Sequence, residues 1–152
     1  MHVKDIINIK GSVLFTATPQ QTLDSAVAAM AELDVGSLVV MGGGKMVGIL
    51  TFREALKAVT ARKGQIADVK VEEVMLTEPI TADVKMETND LRRLLIEHHQ
   101  RYVPVMDGNM LMGVLSFLDV AKAVLEEQSF ENKMLKNYIR NWPAESEEPA
   151  AD

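Results

Sequence analysis

The stretch GILTFREALKAV, from Gly48 to Val59, returns 65 positions later as GVLSFLDVAKAV, from Gly113 to Val124. Glycine, leucine, phenylalanine, lysine, alanine and valine occupy the same places in both copies. The match continues upstream without a gap, since LVVMGGGKMVG (38–48) lies over VPVMDGNMLMG (103–113). A unit of about fifty residues therefore occurs twice, as is typical of a fold built from an internal repeat.

Each unit predicts the order strand, helix, strand, strand, helix. In the first, SVLFTA (12–17) is a short β-branched and apolar run, and apolar residues then recur at helical spacing from Leu23 to Leu33. SLVVM (37–41) and MVGIL (46–50) follow as strands around a glycine turn, and a second helix starts at Phe52. The fold class is α/β, or α+β in some schemes, with both repeats packed as one pseudo-two-fold module.

Composition restricts the class of protein. With 152 residues, 47% of them hydrophobic, the chain can bury one sizeable core. It has no cysteine, no apolar run that could span a bilayer and no secretory leader, so we expect a cytoplasmic protein with no membrane partner. A net charge of −6 with scattered basic residues argues against nucleic acid as a partner.

The repeated junction between strand and helix carries the polar chemistry. Ser116 and Thr51 stand where an apolar strand ends and a helix begins, so a hydroxyl and free backbone N–H groups there suit a phosphate. Three residues on, Asp119 or Glu54 could accept two hydroxyl hydrogen bonds from a ribose. The same spacing is also an ordinary capping box, which stabilises a helix start and binds nothing.

The sequence resembles a tandem pair of cystathionine-β-synthase (CBS) domains. The resemblance rests on the repeated element order, on RYVPVMD (101–107), and on the glycine, apolar, apolar, Ser/Thr, x, x, Asp pattern of GVLSFLD (113–119) and GILTFRE (48–54). It implies a regulatory module that binds an adenine nucleotide (AMP, ADP, ATP or an NAD(H)-like dinucleotide) between the repeats. Glu54 departs from the family's Asp, and Leu118 from the small residue often found before it.

The resemblance also implies two sites, each mixing residues from both repeats. The first comprises Ser116, Asp119, Arg101, Val114, Thr18, Val35, Gly36 and Ser37. The second comprises Ile49, Thr51, Arg53, Glu54, Thr81, Asp83 and Tyr102. Arg101 is the residue expected to meet phosphate by bidentate contact, the alternative being a solvated charge at a strand start.

The resemblance divides the chain into a first CBS domain (1–62), a linker (63–70) and a second CBS domain (71–127). VKDII (3–7) and VEEVM (71–75) are expected to be short turns before each first strand. A C-terminal helix (128–142) follows, with an apolar face that includes Phe130, Met134 and Tyr138, and residues 143–152 are expected to be disordered. We expect a homodimer, because this apolar face needs a partner and the resemblance implies that CBS pairs associate as two-fold dimers through their helices.

Catalysis and metal binding are not expected. No nucleophile elbow or phosphate-binding P-loop is present, and the adjacent His98 and His99 would point about a hundred degrees apart on a helix, so they do not easily hold one ion. Three functions stay open: a nucleotide-sensing module that signals to a separate, unknown effector protein; a dimerisation or docking scaffold without a ligand, favoured by Glu54 and Leu118; and an enzyme acting on nucleotides.

Overall fold

The computed structural model describes residues 1–11 and 13–141. In the first repeat, β1 (Thr16–Ala17) is followed by α2 (Leu23–Leu33), β2 (Ser37–Gly42), β3 (Lys45–Thr51) and α3 (Phe52–Ala61). In the second, β4 (Ala82–Asp83) is followed by α5 (Thr88–His98), β5 (Tyr102–Asp107), β6 (Met110–Ser116) and α6 (Phe117–Arg140). Two helices precede the first strands, α1 (Val3–Lys10) and α4 (Val71–Val74). The predicted order within each repeat is confirmed.

The two sheets have the same topology. Each has three strands, in the orders β1-β2-β3 and β4-β5-β6, with the first pair parallel and the second antiparallel. The register shifts between Val40 and Met41 in one hairpin and between Val105 and Met106 in the other, which are equivalent positions 65 residues apart. Gly43 and Gly108 have φ near +61° in the two hairpin turns, which is why a glycine is favoured there.

The segments before the first strands are helical, not turns as expected from the sequence. Helix α1 extends over eight residues to Lys10, and Asp5 accepts a hydrogen bond from the backbone N–H of His2 at its start. The strand expected over residues 12–17 is reduced to Thr16–Ala17, because only these two residues pair with β2. Ser12 lies outside the described residues.

These lead-in helices are exchanged between the repeats. Val3, Ile6 and Ile7 of α1 are buried in the core of the second repeat, among residues such as Leu91 and Val120. Reciprocally, the buried residues Val69 and Val71 belong to the core of the first repeat, together with Leu23 and Leu50. Each repeat therefore completes the apolar core of the other.

Backbone hydrogen bonds hold the exchanged segments in equivalent ways. The N–H of Val3 donates to Met86 O at 2.8 Å, and the N–H of Val71 donates to Gln21 O at 2.8 Å. The N–H of Thr88 donates to Met1 O at 3.0 Å, as the N–H of Leu23 donates to Val69 O at 2.7 Å. The lead-ins correspond at an offset of 68 residues, against 65 for the rest, so the first repeat has three more residues between the start of its lead-in helix and the equivalent position of its first strand.

Helix α6 is continuous over 24 residues. Its first turns pack on the second repeat through Val120, Ala123 and Val124, whereas every residue from Gln128 to Asn141 is exposed. The helix expected over 128–142 is thus the extension of the last helix of the repeat. Trp142 and the segment 143–152 lie outside the described residues, and none of the helices in the described ranges is long and apolar enough to cross a membrane.

The exchange predicts unequal effects for two isoleucines of α1. Ile6 is 5% exposed and Ile9 is 78% exposed. Ile6→Ala leaves a cavity in the core of the second repeat and should lower the free energy of unfolding by about 2–5 kcal/mol. Ile9→Ala, the matched control, should change it by less than about 0.5 kcal/mol. Urea unfolding monitored by circular dichroism measures both, and equal effects would contradict the packing of α1 described above.

Candidate functional site

Two cavities lie where the end of each second hairpin strand meets the segments of the other repeat. One, about 280 Å³, is called the Thr51 cavity, and the other, about 300 Å³, the Ser116 cavity. The Thr51 cavity is lined by Ile49, Thr51, Phe52, Arg53, Glu54, Leu76, Glu78, Ile80, His98, His99, Gln100, Arg101 and Tyr102. The Ser116 cavity is lined by Lys10, Val13, Leu14, Phe15, Asp34, Val35, Gly36, Ser37, Val39, Tyr102, Val114 and Ser116.

The two linings are related by the 65-residue repeat. Most lining residues of one cavity have their counterpart, 65 positions away, in the lining of the other. The equivalent pairs include Thr51 and Ser116, Ile49 and Val114, Gln100 and Val35, Arg101 and Gly36, and His99 and Asp34. Asp34 and His99 also share a left-handed backbone after their helices, with φ of 55° and 56°. The cavities are thus pseudo-equivalent in backbone and different in side chains.

A backbone hydrogen bond fixes the start of each helix at these cavities. The N–H of Phe52 donates to Gly36 O at 3.0 Å, and the N–H of Phe117 donates to Arg101 O at 2.7 Å. These bonds tie the first residue of α3 or α6 to the segment before β2 or β5, so the first-turn N–H groups of each helix follow a strand end that lines a cavity. Such N–H groups are a common site for anions.

At the Ser116 junction, the capping box that the sequence allowed is present. Ser116 Oγ accepts a hydrogen bond from the N–H of Asp119 at 3.0 Å, and Asp119 Oδ2 accepts one from the N–H of Ser116 at 2.9 Å. Both side chains therefore already satisfy backbone groups at the start of α6. This use of the residues leaves less hydrogen-bonding capacity for a ligand.

Asp119 also forms an ion pair with Lys10 of α1. Lys10 Nζ lies 2.6 Å from Asp119 Oδ2 and 3.0 Å from Val114 O. Burial alone would raise the pKa of Asp119, but the hydrogen bonds from Lys10 and Ser116 outweigh it and hold the pKa below its usual value. Because the folded-state pKa is depressed, this carboxylate stabilises the fold above its usual pKa, and the contribution is lost as pH falls through the lower value.

The Thr51 junction uses its side chains differently. The Thr51 hydroxyl donates to the Glu54 carboxylate, and its side chain forms no capping hydrogen bond with the start of α3. Glu54 lines the cavity and is 15% exposed, with Arg53 Nη1 at 4.0 Å from its other oxygen. The longer side chain of Glu54 thus places a carboxylate in the cavity wall.

Arg101 lines the Thr51 cavity and not the Ser116 cavity to which the sequence-based grouping assigned it. Its guanidinium carbon lies 5.5 Å from the centre of the Phe52 ring, in a cation–π contact across the repeats. The carbonyl of Arg101 accepts the N–H of Phe117 at the helix start of its own repeat, whereas its side chain contacts Phe52 of the other repeat. Arg101, the residue expected to contact phosphate, therefore lines the same cavity as Thr51 and Glu54.

Other expected site residues are distributed unevenly. Ser116, Val114, Val35, Gly36 and Ser37 line one cavity together, and Ile49, Thr51, Arg53, Glu54 and Tyr102 line the other. Asp119 and Thr18 lie outside the lining of both cavities, and Thr81 and Asp83 line a separate shallow depression near Met46. Thr18 follows β1, Thr81 precedes β4 and Asp83 ends β4, and all three are exposed. Asp119 is paired with Lys10.

Leu118, which departs from the small residue often found in the family, does not narrow either cavity. Its side chain is 74% exposed and lies outside both linings, since it is the second residue of α6 and points to solvent. The departure from the family's small residue is therefore sterically harmless at this position.

Tyr102 forms the wall between the two cavities, since it lines both. Its ring meets the ring of Phe52 edge-on, with 6.1 Å between the centroids. The hydroxyl end of Tyr102 fills the space beside Gly36, where a Cβ atom would lie only 1.8 Å from the Tyr102 oxygen. Gly36 is required here by this close approach.

Several lining residues were missed by reasoning from the sequence. Gln100 holds the entrance of β5, because its side-chain amide bonds the backbone N–H and C=O of Ile80 and the carbonyl of Tyr102, at 2.8–3.0 Å. The repeat shift applied to Val35 would have identified Gln100. Lys10 gives no such signal, because it lies 109 residues from Asp119 in a segment that breaks the 65-residue register. In the described part of the chain no cluster of three potential metal ligands occurs, and His98 and His99 are exposed.

Two repeats that exchange their lead-in helices around two pseudo-equivalent cavities form one tandem-repeat module. The CBS domain family model matches residues 3–61 and 71–126, and the chain belongs to that family. A pair of CBS domains is a regulatory module.

Individual proteins agree with this assignment. The chain is 32% identical over 114 residues to the CBS domain-containing protein YhcV of Bacillus subtilis, covering 75% of this chain and 81% of YhcV. It is 29% identical to the mitochondrial CBS domain-containing protein CBSX3 of Arabidopsis thaliana, covering 91% and 71%. The crystal structure of a CBS-domain containing protein from Agrobacterium tumefaciens superposes with a TM-score of 0.77 at 27% identity, covering 81% and 98%.

The contact between Gly36 and Tyr102 predicts coupled mutational effects. Gly36→Ala should lower the free energy of unfolding by about 1–3 kcal/mol, because the added methyl group overlaps the Tyr102 side chain. In a Tyr102→Ala background the same change should cost less than about 0.5 kcal/mol, since the overlapping atoms are gone. Thermal and urea unfolding of the two single variants and the double variant measure the coupling, and additive effects would show that the contact is not limiting.

Proposed function

We propose that this protein is a regulatory module that binds an adenine nucleotide in the Thr51 cavity and passes the bound state to a separate protein. The carrying observation is that a hydroxyl, a carboxylate and a guanidinium from both repeats line one cavity: Thr51, Glu54 and Arg101. Its volume of about 280 Å³ is close to the lower end of the range for small-molecule sites, about 300 Å³.

Glu54 is the proposed ribose contact. A carboxylate is an acceptor with several lone pairs, so it can accept hydrogen bonds from two neighbouring hydroxyl groups. The limited exposure of Glu54, 15%, keeps it at the cavity wall, and its contact with the Thr51 hydroxyl orients it. These are the properties that a vicinal diol requires.

Arg101 and Arg53 are the proposed phosphate contacts. Arg101 is held against the Phe52 ring, which limits the conformational freedom that binding would otherwise remove. The start of α3 adds N–H groups that Thr51 does not cap. By contrast, the N–H of Asp119 at the start of α6 is already bonded to Ser116.

The base is proposed to lie among Ile49, Leu76 and Ile80, with Tyr102 at one side. Adenine follows from family membership, and two proteins of the same fold were solved with adenosine derivatives. CBSX2 was solved in complex with AMP, at 24% identity and a TM-score of 0.65. A CBS domain pair was solved with 5′-methylthioadenosine and S-adenosyl-L-methionine, at 22% identity and a TM-score of 0.71. At these identities the likeness shows the fold, and the ligand of this chain is our proposal.

The way a ligand would act follows from the composition of the cavity. Glu54 belongs to the first repeat and Arg101 to the second, so a nucleotide that contacts both bridges the repeats. Binding would stabilise one relative position of the repeats over others, which is how a ligand shifts a conformational equilibrium. The signal is proposed to reach an effector protein in the cytoplasm.

Variants of Glu54 and Arg101 separate the ribose and phosphate contacts. Glu54→Gln removes the charged acceptor and should weaken both AMP and adenosine about ten- to a hundred-fold. Arg101→Met keeps an apolar contact with Phe52 and removes the charge, so it should weaken AMP by a similar factor and leave adenosine nearly unchanged. Isothermal titration calorimetry with AMP and adenosine measures all four combinations.

Matched controls are available outside the cavities. Glu32→Gln, on the exposed surface of α2, and Arg62→Met, which pairs with Glu73 at 3.6 Å, should leave both affinities unchanged. If Arg101→Met weakens adenosine as much as AMP, the phosphate assignment is wrong. If Asp119→Ala abolishes binding while Glu54→Gln does not, the ligand occupies the Ser116 side and our choice of cavity is wrong.

A scaffold that dimerises or docks on a partner is the second candidate function, and the exposed half of α6 favours it. Phe130, Leu135 and Ile139 are each about 60% exposed on one broad face of the helix, whereas the opposite face carries Lys133 and Arg140. We propose that this face mediates a homodimer. The scaffold differs from the leading proposal in one respect, because it needs no nucleotide.

Charge placed on either face of α6 tests the dimer. Leu135→Glu puts a carboxylate within the proposed interface and should convert a dimer at micromolar concentration to a monomer. Ser129→Glu adds the same charge on the opposite face and should leave the dimer intact. Sedimentation velocity of the full chain and both variants gives the masses. A monomeric parent chain, or equal behaviour of the two variants, would remove α6 as the interface.

A further inference from the structure

The two cavities differ in the hydrogen-bond partner of one strand residue. The strands concerned are β3, which ends at Thr51, and β6, which ends at Ser116. At the Thr51 cavity, the carbonyl of Ile49 accepts the N–H of Leu76 at 2.9 Å, and the N–H of Ile49 donates to Leu76 O at 2.9 Å. At the Ser116 cavity, the carbonyl of the equivalent residue Val114 accepts Lys10 Nζ at 3.0 Å instead. A side-chain ammonium thus takes the place of a backbone bridge.

Lys10 is held in this position from two directions. Its ammonium bonds Val114 O and Asp119 Oδ2, and the latter oxygen also accepts the N–H of Ser116. Helix α1 fixes the lysine's backbone, because its apolar face is buried in the core of the second repeat. Lys10 lines the Ser116 cavity, and Asp119 lines a separate depression between α1 and α6 together with Lys10, whereas the equivalent carboxylate of Glu54 lines the Thr51 cavity.

We propose that Lys10 closes the Ser116 cavity to nucleotides and so limits the chain to one nucleotide, bound in the Thr51 cavity. The proposal rests on the function proposed above. A vicinal diol of a ribose donates to both oxygens of a carboxylate, and Oδ2 of Asp119 already accepts Lys10 and the N–H of Ser116. Such a diol must therefore displace the charge-assisted hydrogen bond from Lys10, which reduces affinity roughly ten- to a hundred-fold. Lys10 therefore determines how many ligands the chain binds. It lies on α1, which precedes the first repeat in sequence and packs in the core of the second.

The test compares four proteins by isothermal titration calorimetry with AMP: the parent chain, Lys10→Met, Glu54→Gln, and the double variant. Methionine keeps the length and the apolar stem of lysine and removes the ammonium. We expect one AMP per parent chain and two per Lys10→Met chain, with the second site strengthened about ten- to a hundred-fold. Glu54→Gln should weaken binding in the Thr51 cavity about ten- to a hundred-fold in either background, so the Ser116 cavity should be the tighter site of the double variant. Adding Asp119→Asn to the double variant should weaken that tighter site.

Lys4→Met is the matched control, because Lys4 lies on the same helix with an exposed side chain and lines neither cavity. Its stoichiometry should equal that of the parent. Lys10→Gln provides a second neutral replacement if Lys10→Met lowers the melting temperature, and it should give the same stoichiometry as Lys10→Met.

The outcomes separate this inference from the proposed function. One AMP for both the parent and Lys10→Met at equal affinity, or two for the parent, overturns the role of Lys10 and leaves nucleotide binding standing. Weaker binding by Lys10→Met also overturns it, since Lys10 would then be a ligand contact. Binding by Lys10→Met but not by the parent supports the closure by Lys10 and refutes the Thr51 cavity as the site, and binding by neither refutes both.

Discussion

The exchange of lead-in helices is the constraint on which the other features depend. Val3 and Ile6 belong to the core of the second repeat although they precede the first, and Val71 belongs to the core of the first. Neither repeat can complete its apolar core with its own consecutive residues. The relative position of the repeats is therefore fixed by burial of apolar side chains, the largest favourable term in folding, and the cavities inherit their geometry from that packing.

The same exchange produces the asymmetry between two otherwise equivalent cavities. The lead-ins follow an offset of 68 residues and the remainder an offset of 65, and the extra residues of the first lead-in extend α1 to eight residues, against four in α4. Lys10 is the last residue of that longer helix, and it reaches Asp119 where α4 has already ended. At equivalent positions the two repeats thus carry a Glu54 carboxylate that lines its cavity and an Asp119 carboxylate that is paired with Lys10.

The fold could be predicted from the sequence because its signals are local and duplicated. GILTFRE and GVLSFLD mark the two strand-to-helix junctions, and their ungapped register gives the element order of both repeats. The partners of the charged side chains at the two cavities could not be predicted in the same way. Lys10 reaches Asp119 across 109 residues, and the direction of the Arg101 side chain depends on the ring of Phe52 in the other repeat. Single residues brought together only by tertiary packing leave no pattern in one sequence. Gly36 lies between these cases: its place in the cavity was predicted, but its close contact with Tyr102 was not.

Because α6 is one continuous helix, its orientation at the first turn determines the position of its far end. Its first turn carries Asp119, which Lys10 holds, and its last turns carry Leu135 and Ile139 far from the sheets. A helix of 24 residues is about 36 Å long at 1.5 Å per residue. A tilt of only about five degrees at the first turn would displace its far end by about 3 Å, the distance over which side chains gain or lose contact. The packing of Val120, Ala123 and Val124 on the second repeat therefore sets where the exposed end of α6 lies.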